Sequence, residues 1–337
     1  MIKIGQIGIG HNHGAKKMES VRKFPHLFEV VGYAPESEKW QQERGSLPAY
    51  QGLPCMTVEE LLDKCDAVMI ETEVPLLTKM AKRAIDAGKH VHVDKPASGT
   101  FEEFEDLINC AKEKSLTVQL AYMYRYNPAV QKCLKWKEEG RFGDITMVKA
   151  EMSTYHSKDY KKWMSTFRGG MMYILGSHML DLVMIFLGVP KKITSFLSHS
   201  GYDGLDYPDN TLAILEYPHA IGRVFSSAVE QNGWGNRQLV VSGTKAKAHI
   251  MPLEKTTRLY YSDDEVSAGR YSDMKKEIAV PDPSWDGRYD LMMIDFHDIC
   301  IGKKQNPFSY EHELAVQKAL LEICSADKRE LRGYNCE

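Results

Sequence analysis

Residues 8–14 read Gly-Ile-Gly-His-Asn-His-Gly, a combination that suits phosphate binding. Gly8 permits a tight turn, Gly10 lets the backbone come close to a phosphate, and a helix that begins here offers free N–H groups. The segment directly follows an apolar run, so its spacing predicts a dinucleotide-binding turn. We call residues 8–14 the dinucleotide turn. We expect it to hold NAD or NADP through Gly8, Gly10, His11, Asn12 and His13.

Two features depart from the usual dinucleotide fingerprint. His13 stands at the third glycine position, so the packing of helix on strand must differ there. Pro35 stands where an acidic residue normally binds the ribose hydroxyls, and Glu36 comes next. Glu36 could bind the ribose of NAD, whereas Ser37 and Lys39 could hold the 2′-phosphate of NADP. The choice between the two cofactors stays open at this point.

Two histidine pairs have a spacing that could suit a metal ion. His11 and His13, like His90 and His92, are separated by one residue, and alternate positions of a strand share a face. The sequence shows no third ligand at a metal-like spacing. We therefore predict no metal site.

The elements that must position these residues follow from the periodicity of residues 1–122. Short apolar runs alternate with helical patterns over short connections, which predicts right-handed βαβ units and a parallel, doubly wound sheet. Residues 1–122 are thus interpreted as an α/β Rossmann domain. The predicted strands cover residues 2–9, 28–33, 67–70, 90–94 and 117–121. The predicted helices cover residues 15–23, 58–64, 76–87 and 101–114.

Residues 123–337 have a different pattern, with consecutive β-rich segments divided by Gly, Pro and Asn. This predicts a second, α+β domain with a mostly antiparallel open sheet that binds substrate and forms dimers. The predicted strands cover residues 144–155, 193–200, 211–217, 221–229, 238–251 and 257–261. The predicted helices cover residues 128–139, 171–187 and 310–324. No flexible linker is evident, so we expect a shared interface, where ligand sites usually lie.

Composition excludes several classes of partner. The chain has 43 basic and 46 acidic residues and a net charge of −3, which does not favour nucleic acid or an anionic membrane. The longest apolar run is far shorter than a membrane span, and no signal peptide is recognisable. The seven cysteines form no C-x-x-C pair, which favours reduced thiols and a cytoplasmic location.

Four motifs in order resemble the Gfo/Idh/MocA-type family, named for glucose–fructose oxidoreductase and inositol dehydrogenase. The stretch 87–96, Ala-Gly-Lys-His-Val-His-Val-Asp-Lys-Pro, resembles the family's "GKHV…EKP" signature, with Asp94 in place of Glu. Residues 124–128 resemble its Arg…Pro segment, residues 169–181 its "GGG…D-x-G-x-H-x-x-D" motif, and residues 306–309 its closing segment. The resemblance covers residues 2–325 and implies a Rossmann domain followed by an α+β domain.

The resemblance also implies roles for individual residues. Lys95 would polarise a substrate oxygen at the end of a parallel strand, although a lysine before a proline is otherwise often a plain surface residue. His178 would exchange the proton, although a lone histidine in an apolar helix is more often part of the core. Asp181 either orients His178 or is structural. Further cofactor contacts are expected from Thr72, Lys95, Pro96 and Arg125.

Two positions depart from the family pattern. Ile174 stands four residues before His178, where the family usually carries an Asp that completes the acid/base pair. Isoleucine cannot move a proton, so the ordinary mechanism lacks one member. After the strand 67–70, the chain has Glu71 and Glu73 on either side of Thr72, which is unusual beside a dinucleotide.

The sequence therefore predicts an NAD(P)-dependent oxidoreductase that transfers hydride to or from a hydroxyl carbon of a sugar, cyclitol or related polyol. Two alternatives remain: an enzyme that uses bound NAD to cleave glycosidic bonds, and a non-catalytic NAD(P)-binding regulatory relative, which Ile174 favours. We expect a homo-oligomer, either a dimer or a tetramer. The expected substrate contacts are Tyr155, Trp163, Arg168, His178 and Asp181.

Overall fold

The computed structural model describes residues 1–267, 269, 271–282 and 287–330, and the chain forms two compact units. The first unit comprises Met1–Met123 together with the described residues of 287–314. The second runs from Tyr124 through the described residues up to 282 and continues over 315–330. Residues 331–337, which the sequence interpretation assigns to the second domain, lie outside the described residues.

The first unit contains a parallel sheet, as predicted. Within the described residues it has five strands in the order β2-β1-β3-β4-β5, all parallel. The strands are β1 (Ile2–Ile7), β2 (Phe28–Ala34), β3 (Ala67–Ile70), β4 (His90–Val93) and β5 (Val118–Leu120). The helices are α1 (Gly14–Arg22), α2 (Glu38–Arg44), α3 (Val58–Lys64), α4 (Leu77–Asp86) and α5 (Phe101–Glu113).

Local sequence explains why most of these elements form. Every residue of β3 is buried, as expected of a short apolar strand covered on both faces. Thr57 and Thr100 begin α3 and α5 with capping boxes, in which each threonine side chain accepts from a backbone N–H and a glutamate reaches back. The predicted α3 matches the observed helix, and the strand and helix ends elsewhere differ by one or two residues.

The sequence interpretation missed helix α2. Ser37 caps it by accepting a hydrogen bond from the backbone N–H of Trp40 at 3.4 Å. The helix has no buried residue, so it carries no apolar periodicity from which it could be predicted.

A late segment of the chain joins the first unit, although the sequence interpretation placed it in the second domain. Its helix, which we number α9 (Asp290–Cys300), buries Met292, Met293 and Phe296. The Phe296 ring packs edge-on against His92 of β4 at 5.7 Å. This apolar face covers the Rossmann sheet. Because α9 lies far from β4 in the chain, the local sequence pattern does not reveal this contact.

The second unit has the mostly antiparallel sheet that the sequence predicts. Within the described residues its order is β13-β12-β11-β10-β6-β9-β8-β7, and only the β6–β9 pairing is parallel. The strands are β6 (Ile145–Glu151), β7 (Lys192–Ser198), β8 (Asn210–Glu216), β9 (Ile221–Ser227), β10 (Gln238–Gly243), β11 (Ala246–Ile250), β12 (Leu259–Asp263) and β13 (Lys276–Ile278). The single strand predicted over 238–251 is thus two strands that turn after Gly243.

The remaining helices are α6 (Pro128–Glu138), α7 (Lys158–Met164), α8 (Ser177–Leu187) and α10 (Tyr310–Cys324). A π-helical segment, Met172–Gly176, leads into α8, and such segments often occur near functional sites. No helix among the described residues is both long and apolar enough to cross a membrane.

Candidate functional site

The dinucleotide turn connects β1 to α1 at the carboxyl edge of the parallel sheet. Gly8 has φ of +86°, and a Cβ there would collide with the backbone of Thr72. The Gly8 N–H donates to the carbonyl of Ala34 at 2.7 Å, and the His11 N–H donates to that of Glu71 at 3.0 Å. The turn is therefore held between the ends of β2 and β3, where only glycine fits at position 8.

The carboxylate of Glu36 lies in the dinucleotide turn. It accepts backbone N–H groups from Ile9 at 2.8 Å, Gly10 at 3.0 Å and Glu73 at 3.1 Å. A Cβ on Gly10 would collide with Oε1 of Glu36, so glycine is needed for this close approach. Converging amides of this kind form an anion-binding site, which the carboxylate of Glu36 occupies in this structure.

Ser37 and Lys39, the candidates for holding a 2′-phosphate, are directed to other contacts. The Ser37 hydroxyl caps α2, and the Lys39 ammonium lies over the ring of Trp40 at 4.5 Å from its centre. Glu36, by contrast, faces the turn, which is the arrangement expected for a carboxylate that binds ribose hydroxyls.

Arg44 is a contributor that sequence reasoning missed. Its guanidinium donates to the carbonyl of His11 at 2.8 Å and to Oδ1 of Asn12 at 2.9 Å. Arg44 therefore supports the turn from α2. Because α2 itself was not predicted, no signal in the sequence linked Arg44 to the turn.

Three fully buried charged residues lie directly behind the dinucleotide turn. Lys17 Nζ is 2.6 Å from Oε1 of Glu71 and 2.6 Å from Oδ2 of Asp94, and all three side chains have 0% exposure. We call Lys17, Glu71 and Asp94 the buried charge cluster. Its members come from α1 and from the ends of β3 and β4, the edge at which doubly wound sheets bind ligands. The sequence offered one signal, since Lys17 lies one helical turn after His13.

The buried charge cluster determines the charge states of its members. Burial alone would lower the pKa of Lys17, but the charges of Asp94 and Glu71 raise it above its usual value. Burial also opposes ionisation of Asp94, yet the neighbouring His11, Lys17 and His13 hold its pKa well below the usual range. Burial, with the charge of Asp94, raises the pKa of Glu71 well above its usual value despite Lys17. Lys17 and Asp94 therefore form the charged pair.

The two histidines of the dinucleotide turn approach Asp94. Nδ1 of His13 lies 3.0 Å from Oδ2 of Asp94, and Nδ1 of His11 lies 3.3 Å from the same oxygen. Burial lowers the pKa of His11 to about 3 and also lowers that of His13, so both imidazoles are neutral near neutral pH. Asp94 is therefore the third polar group beside His11 and His13, and sequence spacing did not reveal it.

The second histidine pair has separate structural contacts. His92 is buried, and its Nδ1 is 2.8 Å from Oε1 of Gln119 on β5. His90 accepts the backbone N–H of Thr117 at its Nδ1, at 3.0 Å. These contacts join β4 to the segment that contains β5.

Lys95 follows β4 and has only 3% of its surface exposed, which excludes the plain surface role considered from the sequence. Its backbone N–H donates to Oδ1 of Asp94 at 2.7 Å. Pro96 beside it is also buried. Thr72, after β3, is fully buried, and its hydroxyl donates to the carbonyl of Glu73 at 3.2 Å. Thr72 and Lys95 therefore end neighbouring strands at the same sheet edge as the turn.

In the second unit, His178 begins α8 with 3% exposure and packs edge-on against Tyr124 at 5.0 Å. Ile174 precedes it within the π-helical segment and is equally buried. The position that carries an Asp in the resembling family is thus an apolar core position in this chain.

Arg125 and Asp181, expected to contact cofactor and substrate respectively, bind each other. The guanidinium donates to Oδ1 of Asp181 at 2.7 Å and to Oδ2 at 2.9 Å, and both side chains are 1% exposed. Of the two roles considered for Asp181, this two-point ion pair favours the structural one.

The other expected substrate residues of the second unit differ in their surroundings. Tyr155 is exposed, and its hydroxyl lies 2.6 Å from that of Tyr202. Trp163 packs between the rings of Tyr160 and Phe167, at 5.2 and 5.1 Å. Arg168 instead donates to the backbone carbonyl of Asp327 at 2.6 Å, in the segment after α10.

Comparison with known families identifies both parts of the chain. Residues 2–122 match the model of an oxidoreductase family with an NAD-binding Rossmann fold, and residues 130–249 match that of the GFO/IDH/MocA C-terminal domain. Together these matches cover more than half of the chain.

Three relatives illustrate the range of similar proteins. An uncharacterized oxidoreductase of Schizosaccharomyces pombe is 26% identical over 64% of this chain, which spans 61% of that relative's length. The 2,7-anhydro-N-acetylneuraminate hydratase of Escherichia coli is 24% identical over 74% of this chain and 68% of its own. The NADP⁺-dependent scyllo-inositol 2-dehydrogenase of Bacillus subtilis is 29% identical over 39% of this chain and 37% of its own.

A solved structure agrees over nearly the whole length. An NAD-binding oxidoreductase from Klebsiella pneumoniae superposes with a TM-score of 0.82 at 17% identity, covering 97% of both chains. At this identity the likeness supports the fold alone.

Proposed function

Because the chain belongs to the Gfo/Idh/MocA family of NAD-binding oxidoreductases, we propose that it transfers hydride between a nicotinamide dinucleotide and a hydroxyl carbon of a sugar, cyclitol or related polyol. The observation that carries this proposal is Lys95, a buried lysine at the carboxyl end of β4, on the sheet edge that also forms the dinucleotide turn.

Each residue has a defined part in this proposal. The dinucleotide would supply the hydride acceptor, and Glu36 at the dinucleotide turn would bind its ribose hydroxyls. Lys95 donates a hydrogen bond to the reacting oxygen and stabilises the negative charge that develops when the hydroxyl proton leaves. His178 takes up that proton on its imidazole. Ile174 gives His178 no carboxylate partner, so we expect a slower proton transfer than a histidine–aspartate pair provides.

We further propose that NAD is preferred over NADP. Glu36 presents a carboxylate to the turn amides, where it can accept hydrogen bonds from ribose hydroxyls. A 2′-phosphate beside that carboxylate would meet like-charge repulsion. Ser37 and Lys39, the residues that could have compensated, are directed to the α2 cap and to Trp40.

Cofactor binding and turnover test the proposal separately. NADH binding is measured by fluorescence, and oxidation of a panel of polyols is followed by NADH formation. Lys95→Met should lower kcat by at least about 100-fold while NADH affinity changes little. Lys89→Met is the matched control, because Lys89 precedes the same strand at its opposite end, and it should keep wild-type turnover.

Ile174 favours a second candidate, a non-catalytic dinucleotide-binding protein, because it removes one member of the acid/base pair. Tight NADH binding with no turnover on any polyol of the panel would support this candidate and contradict the first. Glycoside cleavage without net reduction of added NAD would instead indicate that the dinucleotide is used transiently.

A further inference from the structure

Two imidazoles and one carboxylate converge at the dinucleotide turn. The Nδ1 atoms of His13 and His11 lie 3.0 and 3.3 Å from Oδ2 of Asp94, and one ligand atom from each of the three residues falls within a 4.8 Å group. The reaction proposed above requires none of these side chains to act on substrate.

The two distances to Oδ2 fit hydrogen bonds, and they also match the spacing of adjacent ligands around a small metal ion. Metal–nitrogen and metal–oxygen bonds of about 2.0–2.1 Å place neighbouring ligand atoms about 3.0–3.4 Å apart in octahedral or tetrahedral geometry. The approach of each nitrogen to Oδ2 therefore already has the right length. To bring the two nitrogens to a common ion, only the partly exposed His13 needs to adjust, since His11 and Asp94 are buried.

Glu71 provides an independent observation. Its side chain is fully buried, and its Oε2 makes no hydrogen bond within the described part of the chain. That oxygen lies 3.8 Å from Nδ1 of His11, on the side of the histidine pair. A cation beside His11 would give this buried carboxyl oxygen a bonding partner.

Lys17 does not fully replace such a cation. Its ammonium binds Oε1 of Glu71 and Oδ2 of Asp94 and leaves Oε2 of Glu71 unbonded. One ammonium also brings a single positive charge to two carboxyl groups. The side chain of His13 is 30% exposed, so an ion can enter the site from solvent and keep a water ligand on that side.

We propose that His11, His13 and Asp94 bind one divalent transition-metal ion, with Oε2 of Glu71 as a fourth ligand. Two imidazoles and carboxylate oxygen suit Zn²⁺, Co²⁺ or Fe²⁺, whereas Mg²⁺ and Ca²⁺ prefer oxygen ligands alone. The ion lies in the dinucleotide turn itself. Neither Lys95 nor His178 is a ligand of the ion. The proposed metal site therefore does not depend on whether the chain catalyses the proposed reaction.

Co²⁺ is a direct probe of this site, because its visible absorption reports nitrogen and oxygen ligation. The full chain, stripped with a chelator, is titrated with CoCl₂ and then with ZnCl₂, and the metal content after dialysis is measured by mass spectrometry. We expect one Co²⁺ per chain with micromolar or tighter affinity, displacement by Zn²⁺, and no competition from Mg²⁺. If the wild-type chain does not bind close to one equivalent of Co²⁺ or Zn²⁺, the proposal is overturned. The cluster is then a lysine–carboxylate network without a metal ion.

Variants locate the ion. His11→Gln and His13→Gln should each weaken Co²⁺ binding by at least about 100-fold, whereas His26→Gln, at an exposed histidine of the same unit, should bind as the wild type does. Thermal unfolding of each apo-variant confirms that it is folded. These histidine variants are used instead of Asp94→Asn because Asp94 also pairs with Lys17. Wild-type affinity in His13→Gln would place the metal elsewhere and contradict the proposal, whether or not the chain turns over any polyol.

Discussion

In the first unit, Lys17, Glu71 and Asp94 are buried where three chain segments meet behind the dinucleotide turn, and two histidines approach the carboxylate of Asp94. In the second unit, Arg125 and Asp181, which lies in the apolar helix α8, form a buried two-point ion pair. The buried charge cluster shares one ammonium between two carboxyl groups, whereas one guanidinium binds both carboxylate oxygens of Asp181. The first arrangement leaves Oε2 of Glu71 without a hydrogen-bond donor among the described residues.

The largest expected effect is that of removing the ammonium from the buried charge cluster. Lys17→Met leaves two carboxyl groups buried without their cation and should lower the free energy of unfolding by about 3–5 kcal/mol. Urea unfolding followed by circular dichroism measures this loss. Lys16→Met is the control, because the ion pair of Lys16 with Glu19 is exposed, and its unfolding midpoint should stay close to that of the wild type. A similar midpoint for both variants would show that the cluster is not held by Lys17.

The Arg125–Asp181 pair should behave differently when both partners are removed. Arg125→Leu or Asp181→Leu alone strands one buried charge and should cost about 3 kcal/mol of unfolding free energy. The double variant removes both charges and should cost less than either single change, which a double-mutant cycle measures. If the two losses simply add, Arg125 and Asp181 do not stabilise the fold as a pair, and the contrast with the first unit fails.

A histidine of the second unit should make the free energy of unfolding depend on pH. Burial lowers the pKa of His156 to about 4, below the ordinary value of 6.5, so the folded protein keeps this imidazole neutral while the unfolded chain protonates it. Stability from this group is present above pH 6.5 and is lost as pH falls toward 4, by about 3 kcal/mol. His156→Phe preserves stacking on Tyr160 and should flatten the dependence of the unfolding free energy on pH over that window.

His219→Gln, at an exposed histidine of the same unit, is the control for this measurement and should keep the wild-type slope. An unchanged slope in His156→Phe would mean that other groups cause the acid loss.

The smallest effect concerns the carboxylate in the dinucleotide turn. Glu36→Ser removes the group that we expect to repel a 2′-phosphate, so the ratio of NADPH to NADH dissociation constants should fall about tenfold, or about 1.4 kcal/mol. Titration calorimetry with each cofactor measures the ratio. Glu38→Ser makes the same charge change on exposed α2 without contacting the turn and should leave the ratio unchanged. Equal shifts of this ratio in both variants would show that the cofactor preference comes from the overall negative charge and not from the position of Glu36.

Much of the fold could be predicted from local pattern. The parallel sheet, the turn glycines and the buried α8 were all evident, because strand and helix periodicity depends on neighbouring residues. Helix α2 was missed because it buries no residue. Helix α9 was not predicted either, and its residues were placed in the second domain, because the strands that it packs against lie far away in the chain. Of the candidate site, the turn and Lys95 were found, but Arg44 and Lys17 were not.

The sequence by itself determined the family of this protein, the position of the dinucleotide turn and the loss of a carboxylate at Ile174, since each is carried by residue types in a fixed order. Only the tertiary structure decided what the charged side chains do. Lys17 meets Glu71 across 54 residues and Asp94 across 77, and Arg125 meets Asp181 across 56. A buried charged side chain pairs with whichever opposite charge the fold brings near it. The packing of segments that are far apart in the chain sets this partner, and sequence spacing does not encode it.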